Sequence, residues 1–414
     1  MKTQTPFDLQ TIRSQFPALQ LVVNGRTAVY LDGPGGTQTP QPVIDAIAMY
    51  LMHGGSNQGG PFFTSQYTDG VIMAARQAMM DFYHARRPEE IVFGQNMTSL
   101  TFAFSRALAQ TWQPGDEIIV TRLDHDANIT PWVLAAADRG VTVRWLDFDP
   151  ADCTLRLDLL PGLLNEKTRL VAVTYASNAV GSISNVQHVV QMAHEVGALV
   201  FVDSVHFAPH GLIDVQALDC DFLATSVYKF FGGHVGALYG KYELLDALKA
   251  YKVRPSSPKP PGKWETGTQS FESLAGVTAA VDYIAMLGGD HGTRRERLVQ
   301  AMAHIKEYEM GLSYRFLEGA AKIPGLRVYG ITDVENLERR TPTFAVSLDG
   351  YAPEAVAARL GEQSIFVWHG DYYAVAVMER LGLADKGGLV RIGFVHYNTH
   401  DEVEQVIEAL AALA

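Results

Sequence analysis

The sequence predicts an α/β fold: a largely parallel sheet covered by helices on both faces, followed by a smaller α+β unit. Three observations lead there. Between about residues 91 and 240, short apolar runs alternate with amphipathic stretches of helical period. That is the pattern of a sheet buried on both sides. A proline-rich stretch at 253–263 then breaks the alternation. It cannot hold regular secondary structure and reads as a covering loop or a domain boundary. Finally, 414 residues exceed one simple core and suit two domains in one chain.

In order along the chain, residues 7–16 read as a short helix capped by Asp8. Residues 28–32 are a strand, closed by Gly33-Pro-Gly-Gly36. A glycine cluster after a strand raises the idea of a dinucleotide site, but the GxGxxG spacing is absent. Thr39-Pro40 opens a helix with Val43, Ile44, Ile47 and Tyr50 at helical spacing. Residues 53–65, glycine-rich with Phe62-Phe63, read either as a plain surface loop or as a pocket rim or oligomer contact. Residues 67–86 are helical. Strands are expected at 91–93, 117–120, 142–146, 170–174, 199–203, 222–226 and 236–239, with helices at 100–112, 130–139 and 186–196. Beyond the proline-rich stretch come helices 273–286 and 293–321, strands 326–329 and 344–348, and a helix near 353–361. Strands 365–368 and 390–394 and a closing helix 400–413 complete the chain.

Composition narrows the partners. A hydrophobic content of 47% with 19% charged residues describes an ordinary globular protein. The net charge of −12 argues against nucleic acid or an anionic membrane as the main partner. Cys153 and Cys220 are the only cysteines, too few and too far apart for a disulfide framework or a CxxC zinc site. A reducing compartment follows. The N-terminus has no signal-peptide core, and no run of 18 apolar residues occurs, so the expected location is cytoplasmic, without a membrane span.

Ligands of open α/β sheets sit at the carboxyl ends of the strands. That rule singles out Met97-Thr98, His125, Asn178, Asp203 and Ser226. Lys229 follows Ser226 and is flanked by Val227, Tyr228, Phe230 and Phe231. Such surroundings desolvate an amine and favour its neutral, nucleophilic form. Asp203 ends the apolar run Leu199-Val-Phe-Val. A Schiff-base lysine and an aspartate for a pyridinium nitrogen are the two groups a pyridoxal phosphate enzyme most needs. His206 can then hydrogen-bond the ring's phenolic oxygen. The polar turn Gln95-Asn-Met-Thr-Ser99 before a helix offers backbone N–H groups and hydroxyls to a phosphate, with Ser226 and Tyr228 in reach. Asp124-His125-Asp126 could be a metal cluster, but alternate residues of an extended segment point opposite ways, so no metal site is expected. Arg391 lies in an apolar strand and needs an anion: an internal carboxylate, or the α-carboxylate of a substrate.

Together these segments resemble the class V aminotransferase superfamily, the pyridoxal phosphate fold-type I branch that contains the cysteine desulfurases, over nearly the whole chain. Tyr30-Leu-Asp-Gly33 opens the likeness. Asp124-His125-Asp-Ala-Asn128 is similar to the family's Glu-His-His-Ala-Asn, which implies that His125 stacks on the cofactor. Tyr175-Ala-Ser-Asn178 matches the segment whose asparagine contacts the phenolic oxygen. Val202-Asp203-Ser-Val-His206 matches Val-Asp-Gly-Ala-Gln, with His206 in the glutamine's place. Ser226-Val-Tyr-Lys229 matches Ser-x-His-Lys, with Tyr228 replacing a phosphate-binding histidine. Trp264-Glu-Thr-Gly-Thr268 matches the segment that reaches a neighbouring subunit's phosphate, which implies a homodimer and gives Thr268 that role. Arg391 matches the carboxylate-binding arginine.

The resemblance implies a large domain, residues 27–265, with a mostly parallel seven-stranded sheet, and a small domain from 1–26 and 266–414. It also implies pyridoxal phosphate as cofactor and an amino-acid substrate, with Lys229, His125 and Asp203 in catalytic roles. One departure bears on the reaction. Where desulfurases carry Arg-x-Gly-His-His-Cys, this chain has Trp368-His-Gly-Asp-Tyr-Tyr373. Tyr373 takes the place of the sulfur-accepting cysteine and Trp368 that of the arginine, so these two residues are expected at the substrate. The chain is thus similar to the cysteine desulfurase-like subgroup. Transamination or a C–S (or C–Se) lyase reaction without persulfide storage is the main expectation. Epimerisation, or a pyridoxal phosphate-binding module with weak catalysis, is the alternative.

Overall fold

The seven apolar runs between residues 91 and 240 form one sheet: β1 (Ile91–Gly94), β2 (Glu117–Thr121), β3 (Thr142–Leu146), β4 (Thr168–Thr174), β5 (Leu199–Asp203), β6 (Phe222–Ser226) and β7 (Gly236–Gly240). They are seen in a computed structural model that describes residues 8–414. Phe7, on which the expected first helix opens, lies outside the described residues. The strand order is β1-β7-β6-β5-β4-β2-β3. Only β7 runs antiparallel to its neighbours; the other pairings are parallel.

Period-two side-chain geometry explains why the strands are apolar throughout. Ile119, Val171, Val173, Val200, Val202 and Leu223 enter a core on one face of the sheet. Their neighbours Ile118, Val120, Leu170, Ala172, Phe201 and Phe222 enter a core on the other. The first core also takes Ile12, Phe16 and Leu19 from the N-terminal segment and the helix Phe271–Met286.

After the helices Phe271–Met286 and Arg294–Ala320 comes a second sheet, all antiparallel. Its strands are β8 (Leu326–Tyr329), β9 (Thr343–Leu348), β10 (Trp368–Gly370) and β11 (Leu389–Gly393), in the order β8-β9-β11-β10. The single strand expected at 365–368 divides. Ile365–Phe366 pairs in parallel with Val29–Tyr30, and the chain then turns into β10. Val29 and Leu31 accordingly pack in the core under the second sheet.

The helix expected from residue 100 starts earlier, at Met97. Asn96 caps it, its side chain accepting from Ser99 N while Ser99 Oγ accepts from Asn96 N. The polar first turn reads as loop in the sequence because its side chains serve the cap.

A buried ion pair ties the first sheet to the segment that carries Thr268. Arg76 meets Glu265 bidentately, at 2.8 and 2.6 Å. The same carboxylate accepts from Phe93 N in β1 at 2.9 Å, and Arg76 also donates to Ile91 O. Both side chains are under a tenth exposed. Glu265→Ala strands the buried guanidinium and is expected to cost about 3–5 kcal/mol, read as a lower urea-unfolding midpoint. Glu265→Gln, which keeps the Phe93 bond, is expected to lose less.

Candidate functional site

A cavity of about 870 Å³ opens at the carboxyl ends of the first sheet's strands. It collects nearly every residue the sequence singled out: Met97, Thr98, His125, Asn178, Asp203, His206, Ser226, Tyr228, Lys229, Trp368, Tyr373 and Arg391 all line it. Thr268 does not. It is exposed, away from the cavity of its own chain.

Lys229 lies in a short 3-10 turn, Val227–Lys229, directly after β6. Its Nζ donates to the carbonyls of Pro34 and Gly35. Burial, and then the Arg391 guanidinium, pull its amine down to about 7, against the opposing pull of Asp32 and Asp203. The amine is therefore substantially neutral at physiological pH. Asp203, at the end of β5, accepts from Val205 N at 2.9 Å through one oxygen. Burial raises its carboxyl to about 6, so it is ionised at neutral pH.

The Asp124–Asp126 segment divides by direction, as an extended stretch should. Asp124 is fully buried, bonded by Thr121 Oγ1 and, at 2.6 Å, by Asn128 Nδ2. Asn128 in turn accepts from Trp132 Nε1. Burial lifts the Asp124 carboxyl to about 8, so it adds no second negative charge beside Asp203 at neutral pH. His125 faces the cavity. Its Nδ1 accepts from Ala127 N at 3.0 Å, which places the proton of the neutral ring on Nε2. Burial, with Lys229 and Arg391 nearby, holds its imidazole down to about 4. The ring stacks on Tyr373, with centroids 5.5 Å apart.

At the start of the Met97–Leu108 helix, Ser226 Oγ accepts from Met97 N at 3.1 Å. Thr98 stands beside it, and Tyr228 stacks on His234 at 4.6 Å. A helix N-terminus with hydroxyls around it is an anion site.

Arg391 comes from β11, in the second sheet. It is buried, donates to Asn178 O at 3.2 Å and to Asp32 Oδ1 at 3.1 Å, and lies over the Tyr372 ring at 4.6 Å. The internal carboxylate that the sequence left open as a partner is Asp32, and Arg391 also lines the cavity. Arg391 Nε, Asn178 Oδ1 and the Tyr372 hydroxyl are buried with no hydrogen-bond partner among the described residues.

The loop after β10 is pinned from several sides. Asp126 N donates to Tyr373 O at 2.7 Å, Asn178 Nδ2 to Tyr372 O at 2.9 Å, and Tyr373 N to Asp371 Oδ1 at 2.9 Å. Tyr372 and Tyr373 both hold positive φ, 56° and 57°. Two successive non-glycine residues there store strain that the surrounding bonds must hold. Cys153 and Cys220 are buried and outside the cavity, and burial pushes the Cys153 thiol up to about 12. No helix among the described residues is long and apolar enough to cross a membrane.

Sequence reasoning missed Asp32 and His234. Asp32 carried a usable signal, a carboxylate at a strand end before Gly33-Pro-Gly-Gly36. His234 carried none.

The profile of one family, aminotransferase class-V, matches residues 29–406. The chain belongs to that family. Class-V relatives are similar to it over almost its full length. It is 32% identical to a cysteine desulfurase of Dickeya dadantii, over 98% of this chain and 96% of the relative. A cysteine desulfurase of Synechococcus elongatus is also 32% identical over 98% of this chain, which spans 63% of that longer protein. Among solved structures, the apo cysteine desulfurase of Thermococcus onnurineus NA1 matches with a TM-score of 0.87 at 27% identity, covering 98% of this chain and 97% of the other. The cysteine desulfurase CsdA of Escherichia coli matches at 0.84 and 27%, covering 98% of each. These matches confirm the α/β fold with its mostly parallel seven-stranded sheet.

The lowered amine of Lys229 has a direct readout. In the apoprotein, a small acylating reagent is expected to modify Lys229 with a pH midpoint near 7, while surface lysines wait for pH values near 10. Peptide mapping by mass spectrometry checks this. A Lys229 midpoint close to that of the surface lysines would contradict the desolvated site.

Proposed function

We propose that this chain is a pyridoxal phosphate enzyme acting on an α-amino acid at Lys229, by transamination or a C–S (or C–Se) lyase reaction that stores no persulfide. The carrying observation is the meeting, in one cavity, of a largely neutral amine at Lys229, a carboxylate at Asp203 and a guanidinium at Arg391.

The residues present fit that cofactor. The Met97–Leu108 helix start, with Thr98, Ser226 and Tyr228, suits its phosphate. Asp203 suits the ring nitrogen, and Asn178 and His206 the phenolic oxygen. The unpartnered polar atoms of Asn178, Tyr372 and Arg391 are groups that a polar ligand would be needed to satisfy. When bound, pyridoxal phosphate supplies an electron sink for negative charge at the substrate's α-carbon.

The chain's own residues do the rest. Asp203, ionised at neutral pH, keeps a proton on the ring nitrogen. The neutral His125 ring covers a cofactor face without adding a cation. Lys229 Nζ, with a pKa near the working pH, takes the α-proton and returns it. Arg391 holds the α-carboxylate through its planar fork, in competition with Asp32. Trp368 and Tyr373, 55% and 72% exposed, stand at the mouth where the substrate side chain enters.

The absence of persulfide storage rests on the loop. Tyr373 stands where the family pattern has its cysteine, and a phenol cannot hold a persulfide. Neither buried cysteine reaches the cavity. The backbone bonds of Tyr372 and Tyr373 also hold the loop against the site.

The homodimer is part of the same proposal. Leu51, Met52, Phe62 and Phe63 are all more than half exposed on adjoining stretches, an apolar surface that a second copy would cover. Thr268, off its own cavity, would then reach the partner's phosphate site.

Loading with pyridoxal phosphate is expected to give a visible absorption band that Lys229→Ala abolishes. Incubation with a panel of amino acids, measuring keto acid, alanine, ammonia and sulfide, then identifies the reaction. Sustained sulfide release from cysteine at desulfurase-like rates would sink the thiol-free reading. In sedimentation equilibrium the wild type is expected to be a dimer, and Phe63→Asp to shift it toward monomer.

A further inference from the structure

His206 lines the cavity, yet it is held from behind. It is 5% exposed, and its Nε2 lies 3.0 Å from Thr341 Oγ1. The Thr341 hydroxyl donates to Gly181 O at 3.3 Å. A hydroxyl has one proton to give, so with that proton on Gly181 it accepts from His206 Nε2–H. The other neighbour, His210, meets His206 ring to ring at 5.2 Å and is engaged with Glu309 at 2.8 Å. Burial, with His210, Arg391 and Lys229 close by, keeps His206 neutral. Its Nδ1 is then a bare lone pair, without a partner among the described residues.

Asn178 has the same character. A carbonyl oxygen can only accept, so the amide end that meets Tyr372 O at 2.9 Å is Nδ2. That leaves Oδ1, a second acceptor, buried and unpartnered. A wall built from acceptors holds a hydroxyl as O–H and disfavours it as O⁻.

We propose that His206, with its tautomer fixed by Thr341 and Gly181, takes a hydrogen bond from the cofactor's phenolic oxygen and so keeps that oxygen protonated. The inference rests on the pyridoxal phosphate reading above. The proton in question is shared between the phenolic oxygen and the nitrogen contributed by Lys229. An acceptor at His206 Nδ1 draws it to the oxygen, whereas a glutamine N–H donor at this position would draw it to the nitrogen. His206 is a positioning residue here, and its effect is spectroscopic before it is kinetic.

The test uses the full chain loaded with pyridoxal phosphate. Proton on oxygen absorbs in the near ultraviolet, proton on nitrogen in the visible. The wild type is expected to show a dominant near-ultraviolet band beside its visible one. His206→Gln is expected to raise the visible-to-near-ultraviolet ratio roughly three- to tenfold, the size of one hydrogen bond. Thr341→Val, which frees the tautomer, is expected to move the ratio the same way, and Thr341→Ser to leave it in place. A wild-type spectrum dominated by the visible band overturns the proposal whether or not the variants fold. So does an unchanged ratio in a His206→Gln protein that binds cofactor. If the wild type gains no Lys229-dependent band at all, the cofactor reading itself fails, and this inference with it.

Discussion

Two cations share one desolvated cavity, and the rest of the site is arranged around that cost. Lys229 and Arg391 repel each other where water cannot screen them. Asp32 pairs directly with Arg391, and Asp203 adds a second negative charge. Lys229, hydrogen-bonded only to carbonyls and lying over the Tyr228 ring, gives up its proton most easily. A neutral amine thus follows first from burial and then from the neighbouring guanidinium, and His125 and His206 stay neutral first through burial and then through positive neighbours that include that guanidinium.

That balance needs both sheets. Asp203 and Lys229 belong to the first and Arg391 to the second. Asp32 sits at the end of a segment hydrogen-bonded to the second sheet's periphery, through Leu31 N to Phe366 O and Gly393 N to Leu31 O. The hairpin at 177–184 makes a further join, with Thr341 N donating to Gly181 O and Ile183 N to Arg339 O. Arg340, buried in that join, is satisfied by backbone carbonyls and stacks on Phe344 at 4.0 Å. The cavity is therefore as rigid as the contact between the two cores.

Much of this was legible in the sequence. Strand alternation gave the first sheet, because parallel strands buried on both faces are apolar throughout. The strand-end rule placed His125, Asn178, Asp203 and Ser226 on the cavity. Other features were hidden for identifiable reasons. The start of the Met97–Leu108 helix was masked by its own capping side chains. The division of 365–370 between two pairings depends on Val29–Tyr30, more than three hundred residues earlier, which no local pattern reveals. The Asp32–Arg391 pair has the same cause. The pinning of Tyr372 and Tyr373 acts on their backbone groups, from Asp126 N, Asn178 Nδ2 and Asp371 Oδ1, so the identities of the two tyrosines carry no trace of it.

The distance along the chain between Asp32 and Arg391 also sets an order of events during synthesis. Their bond spans 359 positions. While the chain grows from its N-terminal end, the first sheet can assemble as soon as β7 has emerged. Asp32 and Lys229 must then wait, beside an open face, for β11 to arrive. Long-range pairing of this kind is slow and comes late. Until β11 docks, the reactive lysine lacks its guanidinium neighbour, and the charge environment that tunes the amine is completed only after the first sheet.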